Sequence, residues 1–145
     1  MIKQGKKGKK VPIEQFIDVI CLTGPYNILG LAWLLNKKLS WKLQLLHDLT
    51  EQCSSSWFGY YDISSDSWTF LIDSAWLKKS RVKLPFNAIS VLFMVGDFFL
   101  YHKDDVWNDI TLLQEDIYVF ELPVNFRKKM IKNFKQCLIT TDMSR

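Results

Sequence analysis

Histidine is scarce in this chain: His47 and His102 are the only two among 145 residues. General acid–base catalysis and most metal sites draw on histidine, and neither residue has a recognisable motif around it. Glycine is also thin, with six residues, and no GxGxxG, Walker, HExxH, GxSxG or CxxC pattern occurs. A phosphate-cradling loop or a nucleophile elbow is therefore not expected. The three cysteines, Cys21, Cys53 and Cys137, are odd in number and widely spaced, which argues against a zinc site and a complete disulfide framework and suits a reducing compartment. Cys21 and Cys137 fall at apolar helix-period positions and are read as small buried hydrophobes without chemistry. Long apolar runs are missing too. The richest stretches, residues 28–35 and 89–101, are too short to span a membrane, and Asp97 interrupts the second. No cofactor, no metal and no catalysis are expected, although dispersed carboxylates with a divalent cation remain an open third reading.

What is present is core material. Hydrophobic residues make up 48% of the chain and aromatics 14%, with ten Phe and six Trp, far from the composition of a disordered chain. A chain of this length builds one core. Six Trp exceed what that core needs, so some are expected at a boundary or interface. The basic start MIKQGKKGKK is followed by a stretch in which Glu14, Gln15 and Asp18 interrupt any apolar leader core, so no secretory signal and a cytoplasmic location are expected. Residues 1–10 read as a flexible basic arm and residues 11–145 as a single α+β domain.

Periodicity predicts the elements. Ile13, Phe16, Ile17, Ile20 and Cys21 recur at helical spacing after Pro12, with Glu14 and Asp18 on the solvent side and Gly24-Pro25 as terminator. A second helix, capped by Thr23 and apolar nearly all round over residues 28–35, is expected at the centre of the fold. Ser40 is expected to cap a third, with Trp41, Leu45, Leu46, Leu49 and Cys53 as its stripe. Strands are expected at residues 57–63 and 68–72, then a short helical turn through residues 75–78 that residues 81–85 end. Residues 88–95 and 98–102, joined by Gly96-Asp97, predict an antiparallel hairpin, and residues 106–113 and 117–122 continue a β-meander. Pro123 opens a last helix that carries Phe126, Met130, Ile131, Phe134, Cys137 and Leu138 inward. Amino-terminal helices, an antiparallel meander and a carboxy-terminal helix make an α+β fold.

The net charge of +4 hides a partition by position. Residues 1–47 carry eight Lys/Arg and two acids, residues 48–121 five and twelve, and residues 122–145 six and one. The acidity peaks over residues 97–121, where Asp97, Asp104, Asp105, Asp109, Glu115, Asp116 and Glu121 face a single base, Lys103. Phe98, Phe99, Tyr101, Trp107, Tyr118 and Phe120 lie among them, and aromatic anchors ringed by carboxylates have the composition of a protein-binding hot spot for a basic partner. The competing reading is that these acids protect strand edges and turns from aggregation. His102 beside Asp104 and Asp105 reads first as a surface turn residue. The last helix, with Arg127, Lys128, Lys129, Lys132 and Lys135, reads first as a core-docked helix with a solvated cationic face. A homodimer pairing it with the acidic meander is conceivable.

Ser67-Trp68, then Ser74-Ala75-Trp76-Leu77, then the stretch FFLYHKDDVWNDITLLQE over residues 98–115 resemble small immunity proteins of contact-dependent growth inhibition and related bacterial polymorphic toxin systems. The resemblance covers residues 66–116, about a third of the chain. It implies an intracellular antitoxin without catalysis of its own, which covers the active or substrate-binding surface of one cognate, basic, nuclease-type toxin. In that reading Asp104, Asp105, Asp109, Glu115 and Asp116 imitate phosphates for the toxin's Lys and Arg groups, while Trp107, Tyr101 and Tyr118 supply contact area. The alternative from another class is a module that binds nucleic acid or an anionic membrane through the basic arm and the last helix.

Overall fold

The computed structural model describes residues 15–79 and 90–140, without the side chains of Lys78 and Lys79. Its elements run β1 (Ile17–Thr23), α1 (Ile28–Leu39), β2 (Gln44–Leu45), α2 (His47–Cys53), β3 (Trp57–Asp62), β4 (Ser67–Asp73), α3 (Ala75–Lys79), β5 (Ser90–Val95), α4 (Phe99–Thr111), β6 (Tyr118–Phe120) and α5 (Val124–Thr140). The class is α+β. Six strands form one antiparallel sheet in the order β2-β3-β4-β5-β1-β6. The basic arm, the expected helix start at Pro12, Ile13 and Glu14, and the expected stop at residues 81–85 lie outside the described residues.

The first described element is a strand where helical spacing predicts a helix. Every residue from Ile17 to Leu22 is buried, because β1 lies between β5 and β6 with helices over both faces of the sheet. Ile17, Val19 and Cys21 point into one core and Ile20 and Leu22 into the other. An apolar run buried on both faces loses its period of two, and such a run cannot be told from a helix by spacing alone. The β-branched Ile17, Val19 and Ile20 are the local preference that fits the strand. Asp18, expected on a solvent face, is buried.

α1 forms where expected, but Asn27 rather than Thr23 caps it, its side chain accepting the Gly30 N–H at 2.8 Å. The helix is not central. Leu31, Ala32, Leu34 and Leu35 pack on the sheet while Leu29 and Trp33 face solvent. Ser40, expected to start the next helix, ends this one in the left-handed conformation with φ 58°. The amide of Asn36 then closes the turn in both directions, donating to the Leu43 carbonyl at 2.9 Å and accepting the Leu43 N–H at 2.8 Å. That clamp sends residues 44–45 into edge strand β2 and delays α2 to His47.

β3 and β4 form where the aromatic, β-prone residues 57–63 and the alternation of Trp68, Phe70 and Ile72 predict strands, and they pair through a turn in which Asp62 accepts both the N–H and the hydroxyl of Ser64. The short helix α3 and the closing helix α5 also form as expected. The predicted second half of the hairpin after Gly96-Asp97 does not. β5 is flanked by β4 and β1, so it has no edge left for residues 98–102 to pair with. Gly96 turns the chain out of the sheet with φ 134°, and its backbone N–H donates to the Phe16 carbonyl at 2.8 Å. Asp97 accepts the Phe16 N–H at 3.1 Å. Residues 99–111, predicted as parts of two strands with a turn at Lys103-Asp104-Asp105 between them, instead wind into α4, with Phe99 and Ile110 inward. The β-propensity of FFLY yields to the absence of a sheet edge.

Two cores result, one on each face of the sheet. α1 and α4 cover one with Leu31, Leu35, Phe99 and Ile110 over Leu22, Phe58, Leu71, Leu92 and Met94. α2, α3 and α5 cover the other, which is aromatic: Phe134 of α5 stacks on Phe93 at 4.0 Å and on Trp57 at 5.7 Å, with Trp68, Phe70 and Trp76 around them. Of the six tryptophans, Trp57, Trp68 and Trp76 are thus core residues, Trp41 and Trp107 are half-buried, and Trp33 is exposed.

Candidate functional site

α4 carries most of the residues that charge pattern and aromatic content single out. Tyr101, Asp104, Asp105, Asn108 and Leu112 fall at i, i+3, i+4, i+7 and i+11, one face of the helix and its cap, and all are exposed. Asp109 flanks that face. Tyr101 is 84% exposed and Leu112 74%, and Phe98 and Leu100 add further apolar surface at the helix start.

The one base of this region does not lie on that face. Lys103 projects inward, and its Nζ makes a 2.8 Å ion pair with Asp18 Oδ2. β6 pairs only with residues 21–23 of β1, so the start of β1 has no strand on that side among the described residues. Asp18 fills the gap: its Oδ1 accepts the Val19 N–H at 2.8 Å and lies 3.7 Å from an Arg127 guanidinium nitrogen on α5. A strand carboxylate therefore ties α4 and α5 to the sheet and holds two cations away from the acidic face. Arg127, expected among the outward cations of the last helix, is drawn in by this contact, and its Nε is buried without a hydrogen-bond partner.

The remaining expected residues separate. Trp107 is half-buried in the α1/α4 core. Glu115 and Asp116 sit in the turn before β6, where Glu115 lies 3.5 Å from the Tyr26 hydroxyl and 3.8 Å from Lys38 Nζ. Burial first, then these two carboxylates, raise the Tyr26 phenol above its ordinary value. Asp116 adopts φ 60°, and its carbonyl oxygen would meet a Cβ at Gly24 at 2.7 Å, so glycine is required there for the turn to close on β1. Tyr118 is exposed, but its strand register opposite Thr23 puts it on the α5 side of the sheet, away from α4, because its neighbour Val119 packs in the α1/α4 core. The acidic band of the sequence is thus one helix face plus a turn, with Tyr118 behind it.

His102 is a helix residue rather than a turn residue. Its Nδ1 lies 2.9 Å from Asp105 Oδ2 one turn on, and its ring stacks on Phe98 at 4.2 Å. The pair orients Asp105 at the surface. Among the described residues no three His, Cys, Asp or Glu side chains converge to hold a metal ion, and no described helix is long and apolar enough to cross a membrane. α5 buries Met130, Phe134 and Leu138 in the aromatic core, so its apolar stripe is occupied.

Sequence reasoning missed a second cluster. Cys137 of α5 is half-buried against the aromatic core, where Trp76 Nε1 lies 3.4 Å from its sulfur and Cys53 at the end of α2 donates to it. No spacing signal could have joined these three residues, since each lies on a different element. Comparison of the chain with protein-family models, with curated proteins and with solved structures finds no match in any of the three.

Proposed function

We propose that this chain is a binding protein that docks a basic protein partner on the outer face of α4, with Tyr101, Asp104, Asp105 and Asp109 at the contact. The observation that carries the reading is the inward turn of Lys103 onto Asp18, which leaves Asp104 and Asp109 without a lysine or arginine partner among the described residues, and Asp105 with only the His102 ring beside it, around an almost fully exposed tyrosine. Each rim ion pair would contribute only about 0–1 kcal/mol, so charge would act mainly on association rate and orientation. Tyr101, Leu100 and Leu112 would supply the desolvated area. Following the resemblance to immunity proteins, the partner is a nuclease-type toxin whose Lys and Arg groups, otherwise engaged with phosphates, meet these carboxylates, and inhibition works by exclusion. Glu115 and Asp116 extend the acidic surface at its end, and Trp107 supports it from beneath.

The test is co-purification with the product of the neighbouring reading frame, followed by titration calorimetry on Asp104→Lys/Asp105→Lys/Asp109→Lys. The reading expects a basic partner whose affinity collapses in the triple variant while the circular dichroism spectrum is unchanged. Undiminished affinity would reject it. Salt-sensitive binding to DNA, RNA or anionic vesicles that survives the triple reversal would instead favour the module that uses Lys128, Lys132, Lys135 and the basic arm.

A further inference from the structure

Cys53 ends α2, which packs against α5, and its thiol donates a hydrogen bond to the sulfur of Cys137. A second donor converges on the same atom. Trp76 Nε1, held by edge-on contacts with Trp57 and Phe93 at 6.2 and 5.6 Å, lies 3.4 Å from Cys137 Sγ. Two donors on one sulfur favour thiolate over thiol. The Cys137 thiol is accordingly held down at about 6, chiefly by Cys53 and further by Trp76, against the opposing effect of burial. Cys53, Cys137 and Trp76 line one recess of about 290 Å³, with Gln52 and Gln136 also on its wall. Cys21 is the internal contrast: fully buried in β1, its thiol is pushed up to about 12.

We propose that Cys137 and Cys53 form a hydroperoxide-reactive dithiol that closes to an intramolecular disulfide, a redox modification site on the opposite side of the sheet from α4. It stands independently of the docking reading. In the first step the Cys137 thiolate attacks one oxygen of the hydroperoxide. An S–O bond forms, the O–O bond breaks, and the other oxygen leaves as water or alcohol with a solvent proton. Sulfur is oxidised to a sulfenic acid and the peroxide is reduced by two electrons. Cys53 then gives up its proton and attacks the sulfenic sulfur. The S–S bond forms, the S–O bond breaks, and hydroxide leaves with that proton as water. A small-molecule dithiol reverses the closure by exchange.

The experiment treats the reduced, full-length protein with stoichiometric hydrogen peroxide, blocks remaining thiols with N-ethylmaleimide and maps the peptides by mass spectrometry. The expected product is a Cys53–Cys137 cross-linked peptide lost on dithiothreitol treatment, with Cys21 alkylated only after unfolding. Cys53→Ser should stop the sequence at a dimedone-trappable sulfenic acid on Cys137, and Cys137→Ser should leave Cys53 a thiol at the same dose. The wild-type map stands alone if either variant fails to fold. Iodoacetamide alkylation of Cys137 should rise with a midpoint near 6 rather than at an ordinary thiol's value of about 8.5, and Trp76→Phe should move that midpoint upward. Recovery of both residues as thiols, or disulfides only between molecules, would overturn the assignment.

Discussion

Replacing Asp18 by asparagine isolates the charge on which the packing of α4 and α5 depends. The amide oxygen still accepts the Val19 N–H, so the variant removes one negative charge and little else. What remains is a Lys103 ammonium, whose side chain is 34% exposed, and an Arg127 guanidinium, 24% exposed, facing a neutral group that is almost wholly buried. Breaking a fully buried ion pair costs roughly 3–5 kcal/mol and an exposed one about 0–1 kcal/mol. Here the anion is buried and both cations reach water, so Asp18→Asn should cost about 2–3 kcal/mol. In urea the midpoint falls while the slope is unchanged, and Tm drops by roughly 5–10 °C for a domain of this size. Lys103→Met completes a double-mutant cycle, in which a coupling of about 1–2 kcal/mol is expected for a contact at 2.8 Å. A loss below about 0.5 kcal/mol for Asp18→Asn, with strict additivity in the cycle, would refute the claim that this carboxylate organises the helices.

Phe134→Ala removes the ring stacked on both Phe93 and Trp57 and should cost roughly 3–5 kcal/mol in denaturant unfolding. Gly96→Ala forces a side chain into φ 134° with its Cβ 3.0 Å from the Asp66 carbonyl oxygen, and a loss of about 1–3 kcal/mol is expected on the same assay. The folded Cys137 thiol is depressed to about 6, so between that pH and an ordinary thiol value of about 8.5 the unfolded chain binds more protons. This group therefore adds stability as pH rises through that window, and the contribution is lost on acidification through about pH 6. Urea midpoints under reducing conditions, compared with Cys137→Ser across the window, should show the wild type gaining on the variant as pH rises.

Where an element has one buried face or a local terminator, its sequence was readable. α5 has a clean stripe through Met130, Phe134 and Leu138, and in β4 Trp68, Phe70 and Ile72 alternate with Ser67 and Thr69. β1 was misread because burial of Ile17–Leu22 on both faces erases the alternation that marks a strand. α4 was misread because aromatic residues at 98–101 suit a strand locally, and only the sheet order shows that β5 has no edge to receive one. For the candidate site, the acid excess over residues 97–121 was visible, but its geometry was not. A meander would put Asp104 and Asp105 in a turn between two strands, whereas the helix turns both outward one turn from Tyr101, and the register of β6 puts Tyr118 on the far side of the sheet.

Composition, the helical and alternating periods of the unambiguous segments, and the charge partition were properties of the chain itself, and they were enough for the α+β class and for an acidic surface. Tertiary structure alone decided that residues 17–23 are a strand, that residues 99–111 are a helix, that Lys103 turns in to Asp18, and that Cys53 meets Cys137 beneath Trp76. The reason is common to all four. Each depends on which neighbour occupies a sheet edge or a helix flank, and that neighbour comes from a distant part of the chain, beyond the reach of any local pattern.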